Sequence, residues 1–201
     1  LTGRTEFAEH ARDILLAYAE RYPQWPRTQP SSLAFSAKVG VAVLQESWWF
    51  RPMPLAFDLV RGSGVLTAEQ DRRIVEGLME PVAVTVRQHR IEANQQAEAN
   101  AAMGLGALLA QRWDIVADTI DSGGGLRTQW QTDFDADGYT SERDMGYHFA
   151  ALMPFAELAA AYEHVGIRMF DRDFKRLFDA PIAYAPDQLP GDPNRPEDRG
   201  G

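Results

Sequence analysis

The sequence predicts an all-α protein, and three observations carry that expectation. Segment after segment repeats its apolar residues with the 3.6-residue period of a helix. No stretch alternates apolar and polar residues long enough to make a strand, and no clean internal repeat stands out. Pro and Gly end the periodic segments, so short turns join successive helices, which then pack as antiparallel pairs. A chain of such pairs makes a bundle, a solenoid or a closed toroid, and periodicity alone does not choose among them.

Taken in order, residues 4–22 place Phe7, Ala11, Ile14, Leu15 and Tyr18 on one helical face. A uniformly apolar run from Ser32 to Phe50 predicts a buried helix, ended by Pro52 and Pro54. "PLAFDLVRGSG" reads as a short helix closed by glycine. Thr67 and Gln70 have the form of a capping box and start a long helix bent at Pro81. "EANQQAEANAAMGLGALLAQR" and "WDIVADTIDSGGG" predict two more helices, and "LRTQWQTDF" a shorter piece. After an acidic loop, a helix with Leu152, Phe155, Ala159 and Tyr162 on one face ends near Gly166, and "DRDFKRLFDA" forms the last.

With 201 residues, 45% of them hydrophobic, the chain can bury a substantial core, and one folded domain is expected over residues 1–185. Residues 186–201, rich in Pro, Asp and Gly, read as a loose tail or linker, and the chain as a piece of a longer one. A net charge of -9 argues against a surface built for nucleic acid or anionic membrane. No run of about eighteen apolar residues is present to span a bilayer. With no cysteine, thiol catalysis, disulfides and cysteine-ligated metals are excluded. The four histidines are too scattered for a zinc motif, no cofactor-binding fingerprint is present, and no cofactor is expected.

The densest chemistry lies in "DFDADGYTSERDMGYHF", residues 133–149. Asp133, Asp135, Asp137, Ser141 and Asp144 fall at calcium-loop positions, with Gly138 sixth. Against that reading, the twelfth ligand is Asp where Glu is usual, Thr140 replaces an aliphatic residue, and the preceding helix is poorly amphipathic. An acidic solvated turn fits the same residues. Directly after it, Tyr147 and His148 could transfer protons beside Glu142 and Arg143, or could simply pack.

Upstream, Asn94, Gln95, Gln96, Glu98 and Asn100 crowd polar groups beside an apolar run, so that face is either solvated or lines a polar cleft. In "QESWWF", Trp48 and Trp49 are core residues or a platform on which a sugar ring stacks.

These pieces, in this order, resemble the helical domain of the heparinase II/III and alginate lyase type polysaccharide lyases. "LQESWWFRPMPLAFDLV" with "GVLTAEQDRRIVEGLMEPV" is similar to that family's early paired helices, and "ANQQAEANAAMGLGALL" resembles its asparagine-bearing helix. "DADGYTSERDMGYHFAALMPFAELAAAYEHVG" resembles its signature, and "FKRLFDAP" a frequent ending; the similarity covers roughly residues 40–190.

The resemblance implies an incomplete α/α toroid of antiparallel helix pairs, followed in the parent chain by a β-sandwich domain. It implies β-elimination on a uronate-containing acidic polysaccharide, and a periplasmic or secreted setting. Asn94 matches the asparagine that neutralises the substrate carboxylate, and Tyr147 matches the tyrosine that protonates the leaving oxygen. Trp48, Gln95, Gln96, Glu142, Arg143 and His148 are then expected around the substrate, with His148 and Glu142 in supporting parts. Alginate-type members carry histidine directly after the asparagine, where this chain has Gln95, which cannot act as a base.

That departure keeps a noncatalytic carbohydrate-binding or scaffold toroid in view. A calcium-binding helical module, and a glycoside hydrolase using Asp137 or Glu142 as acid, are further alternatives.

Overall fold

A computed structural model of the protein describes residues 3–28, 37–88, 91, 93–142, 144–170 and 172–183. Among them the regular structure is helical, with one isolated bridge between Phe134 and Thr140 and no strand, so the fold is all-α. None of the described helices is long and apolar enough to cross a membrane. The expected boundary at residue 185 and the tail at 186–201 lie outside the described residues. By its internal packing the chain divides into two compact units, residues 1–90 with 101–118, and residues 91–100 with 119–201.

The first unit holds α1 (Thr5–Arg21), α2 (Val43–Phe50), α3 (Pro52–Ser63), α4 (Ala68–Ile74) and α5 (Glu80–Arg87). It also takes the second half of α6 (Ala93–Leu109) and most of α7 (Trp113–Asp121). The capping box forms as expected: Gln70 N–H donates to Thr67 Oγ1 at 3.2 Å, and Thr67 N–H to Gln70 Oε1 at 3.0 Å.

Between α4 and α5 the chain stays helical through a wide turn, Val75–Met79, closed by Glu80 N–H to the Val75 carbonyl. Pro81 has no N–H to give and its ring crowds the preceding turn, so the helix widens just ahead of it instead of breaking. Gly77 sits in this turn, and a Cβ there would collide with the Ala19 carbonyl; α1 thus packs backbone to backbone against it.

Two sequence expectations change here. On α1 the buried stripe is Leu15 and Ala19, continued by Tyr22, whereas Phe7 and Ile14 are exposed. Tyr22 sets that rotation, because its hydroxyl donates to the buried Glu46 carboxylate and Lys38 Nζ lies over its ring at 4.7 Å. The second difference is the start of α2 at Val43 rather than near Ser32, where residues 32–36 lie outside the described part. Gly40 adopts φ 74°, a left-handed conformation no helix continues through. Glu46 and Gln45 then reach back to the loop, accepting from Lys38 N–H at 2.7 Å and Val41 N–H at 2.6 Å.

The second unit holds the first half of α6, the end of α7, α8 (Leu126–Thr132), α9 (Met145–His164) and α10 (Arg172–Ala183). On α9 the predicted face, Leu152, Phe155, Ala159 and Tyr162, is buried throughout. The helix closes as expected at Gly166, with φ 83° and Ile167 N–H reaching back to the Tyr162 carbonyl at 2.9 Å.

Candidate functional site

The polar residues singled out at the start of α6 divide by the direction of the helix face. Gln95 is exposed, Asn94 is half-buried, and Gln96 and Asn100 are buried. Burial of so many amides requires partners, and they form a relay. Gln96 Oε1 accepts from Ile91 N–H at 2.9 Å, and its Nε2 donates to Asn100 Oδ1 at 3.0 Å. Asn100 Nδ2 donates to the Gly124 carbonyl at 2.7 Å and to Gln129 Oε1 at 2.8 Å. Gln129 Nε2 ends the relay on Asp133 Oδ2 at 3.0 Å. The relay joins the start of α6 to α8 and to the acidic turn. Gln96, expected at the substrate, is instead buried with both polar atoms of its amide bonded inside the fold.

The acidic turn is closed by its own backbone. Asp135 N–H donates to the Tyr139 carbonyl, Gly138 N–H to the Asp135 carbonyl and Ser141 N–H to the Asp133 carbonyl, at 2.8–2.9 Å. Gly138 has φ 81°, and a Cβ there would collide with the Arg176 carbonyl of α10, so only glycine fits.

The carboxylates serve this local structure separately. Asp135 Oδ1 accepts from Asp137 N–H and Tyr139 N–H, Asp133 from Gln129 and Thr132, and Asp144 from Tyr147 N–H. Among the described residues no three acidic or histidine side chains converge as a metal cage. The residues at calcium-like spacing form hydrogen-bonded turns and a helix cap.

Asp144 caps α9, its Oδ1 accepting from Tyr147 N–H at 3.0 Å. The cap leaves Tyr147 and His148 on the first turn but on different faces. Tyr147 is 53% exposed. His148 is fully buried, stacked on Tyr139 with ring centroids 5.0 Å apart. Its Nδ1 accepts from Thr140 N–H at 3.3 Å, which places the proton on Nε2 for donation to the Leu177 carbonyl at 3.0 Å. Burial pushes its pKa below the ordinary imidazole value, against the opposing pull of the Leu177 carbonyl and Asp135. With both nitrogens engaged, a neutral His148 fastens the turn to α9 and α10. Expected around the substrate in a supporting part, His148 is buried and bonded within the fold.

Asn94 and Glu142 meet. Asn94 Nδ2 donates to Glu142 Oε2 at 2.7 Å, joining α6 to the segment that runs from Glu142 through the Asp144 cap into Tyr147. A primary amide has a second N–H, so Asn94 keeps a donor for a ligand carboxylate while Glu142 fixes its orientation. An oriented amide donor can draw charge from a carboxylate, and an exposed phenol can move a proton.

The other expected residues are placed as follows. Gln95, exposed, follows Asn94 on α6. Trp48 is 55% exposed on α2, in the first unit, while Trp49 is packed among Tyr18, Tyr22 and Trp25. Arg143 lies outside the described residues. Residues that sequence reasoning missed are Gln129 and Tyr139, the relay partner of Asn100 and the plate beneath His148. Their separation from those partners, 29 residues for Gln129, left no local pattern to read.

No protein family profile matches the chain. It is similar to an alginate lyase of Stenotrophomonas maltophilia (strain K279a), 27% identical over 172 residues, covering 81% of this chain and 23% of that protein. The chain thus spans less than a quarter of the length of the curated relative it matches.

Proposed function

We propose that this chain is the helical part of a polysaccharide lyase of the heparinase II/III or alginate lyase type, cleaving a uronate-containing polysaccharide by β-elimination. The observation that carries the reading is the Asn94–Glu142 contact, which sets an oriented amide beside the segment leading into exposed Tyr147. The likeness to an alginate lyase supports it.

The proton at C5 of a uronate is weakly acidic while the adjacent carboxylate bears full charge. Asn94 donates to that carboxylate and lets the developing negative charge spread onto it. Tyr147 then protonates the leaving O4 as the C4–O4 bond breaks and the C4–C5 double bond forms. The base that takes the C5 proton is Tyr147 itself, as phenolate, or a group from the remainder of the parent chain. Glu142 is a positioning residue acting through Asn94. By the same resemblance Arg143 and Gln95 contact the substrate, and the helical part is an incomplete toroid followed in the parent chain by a β-sandwich domain.

The test is to offer the full-length parent alginate, heparan and chondroitin type polymers and follow ultraviolet absorbance of the unsaturated product. Saturated products would move the assignment to a hydrolase. A second reading, a noncatalytic binding toroid, draws on Gln95, an amide beside Asn94 that cannot act as a base. Uronate oligosaccharide binding by the parent without turnover would select it.

A further inference from the structure

The last helix, α10, breaks a local rule of helix chemistry. Pro181 lies inside it, in a helix that runs on to Ala183, and proline is the poorest of helix formers. In an α-helix the carbonyl of residue 177 accepts from the N–H of residue 181, and a proline there has none to give. The Leu177 carbonyl, in a residue only 1% exposed, thus lacks its ladder donor. A buried acceptor left in that state is costly, and His148 of α9 supplies the bond from outside the helix, Nε2–H to the Leu177 carbonyl at 3.0 Å.

The same turn of α10 meets the acidic turn at two further points. A Cβ on Gly138 would come within 2.4 Å of the Arg176 carbonyl, and Arg176 Nη1 donates to the Ala136 carbonyl at 3.2 Å. On the other side of the imidazole, Nδ1 accepts from Thr140 N–H at 3.3 Å. Thr140 is buried and stands two residues before Glu142, whose N–H reaches Thr140 Oγ1 at 3.4 Å and whose carboxylate holds Asn94. Contacts therefore run from α10 through His148 and the turn to Asn94. The tautomer orders them: Nδ1 accepts from Thr140 only while the ring proton sits on Nε2, and a buried Nε2–H needs a carbonyl to receive it.

We propose that Pro181 is a positioning residue for the Asn94 and Glu142 pair. By withholding an N–H it leaves the Leu177 carbonyl to His148. That bond fixes the ring proton on Nε2, and the Nδ1 lone pair then anchors Thr140 and the segment that brings Glu142 to Asn94. The helix gives up one ladder bond and the turn gains a fixed attachment. The effect on turnover rests on the elimination reading, whereas the effect on the turn does not.

The experiment is Pro181→Ala in the full-length parent, read by hydrogen exchange with mass spectrometry, by thermal melting and by turnover of polyuronate. Alanine supplies the missing N–H and draws the Leu177 carbonyl back into its own helix. Amides of residues 134–142 are expected to exchange about three- to tenfold faster, the scale of one buried hydrogen bond, and turnover to fall by a similar factor. The melting temperature stays level or rises, because alanine is the best helix former and proline the worst. In a His148→Ala background, Pro181→Ala has no further effect on exchange or turnover, since the bond it acts through is already gone. In a His148→Gln background, whose amide can make both bonds, the sensitivity to Pro181→Ala persists. Unchanged exchange over residues 134–142 overturns the proposal and leaves the elimination reading standing. So does a melting temperature that drops together with turnover, which marks a merely structural proline, or an undiminished effect in the His148→Ala background. A parent that turns over no polyuronate removes the elimination reading, and the exchange measurement still decides whether Pro181 holds the turn.

Discussion

Asn94 Nδ2 lies 2.7 Å from Glu142 Oε2, across 48 residues of sequence. The bond engages one N–H of the amide and leaves it a second one to donate. Removing the acceptor should therefore harm catalysis through Asn94 rather than through lost chemistry at Glu142. Glu142→Ala is expected to lower kcat/KM of the parent enzyme about tenfold, the scale of one charge-assisted bond. Glu142→Gln, which keeps an acceptor oxygen, should cost less than about threefold. Equal losses in the two variants would show that the charge matters, not the orientation of Asn94.

Tyr147 is held by backbone, through the Asp144 cap, while its side chain is 53% exposed. Substitution of so open a ring has little packing to disturb. Tyr147→Phe should lower turnover on polyuronate by roughly 10²- to 10⁴-fold, the range for loss of a general acid or base. Its melting temperature should stay within about 1 °C of the parent's, since surface changes of this kind fall within about 0.5 kcal/mol. Turnover that survives the substitution would remove Tyr147 from the chemistry.

The parts legible in the sequence are those whose determinants are local. Thr67 with Gln70, the apolar face of α9 and glycine at 166 each announce themselves within a few residues, and each appears as expected. Asn94 and Tyr147 stood out by residue type and context, but their surroundings did not. Gln96 and His148 differ from exposed polar residues only in what lies opposite them, namely Asn100 and the Leu177 carbonyl. Phe7 and Ile14 looked like core by period and lost that place to the stripe ending in Tyr22, whose partner Glu46 lies 24 residues away. The calcium-like spacing could not be told from a turn in the sequence, because the same carboxylates also satisfy turn and cap N–H groups.

His148 ties stability to pH. Its folded pKa is depressed by burial, so between that value and the ordinary imidazole value of about 6.5 the unfolded chain binds more protons than the native one. Stability from the neutral ring is therefore fully present above about pH 6.5 and falls as the pH drops through that window. Thermal melts between pH 7.5 and 5 should show the loss. His148→Gln, whose amide can accept from Thr140 and donate to the Leu177 carbonyl, should have a shallower slope. An unchanged slope in the variant would assign the acid sensitivity to other groups.

The buried amide relay makes the opposite kind of prediction, one that depends on which partners remain. Asn100→Leu keeps the branched shape, with bulkier methyl groups, and takes a hydrogen-bond partner from Gln96 Nε2, Gln129 Oε1 and the Gly124 carbonyl together. A stranded buried group costs about 1–3 kcal/mol, and the three share one local rearrangement, so a total near 3 kcal/mol is expected in denaturant unfolding. Adding Gln129→Leu removes one of the stranded groups. The double variant should therefore lose less than the sum of the two single variants, although Gln129→Leu also takes a donor from Asp133. Gln95→Ala, on the exposed side of the same helix turn, serves as the control and should change stability by less than about 0.5 kcal/mol. Strict additivity of Asn100→Leu and Gln129→Leu would mean that the two amides act independently and that α6 and α8 are not fastened to each other through them.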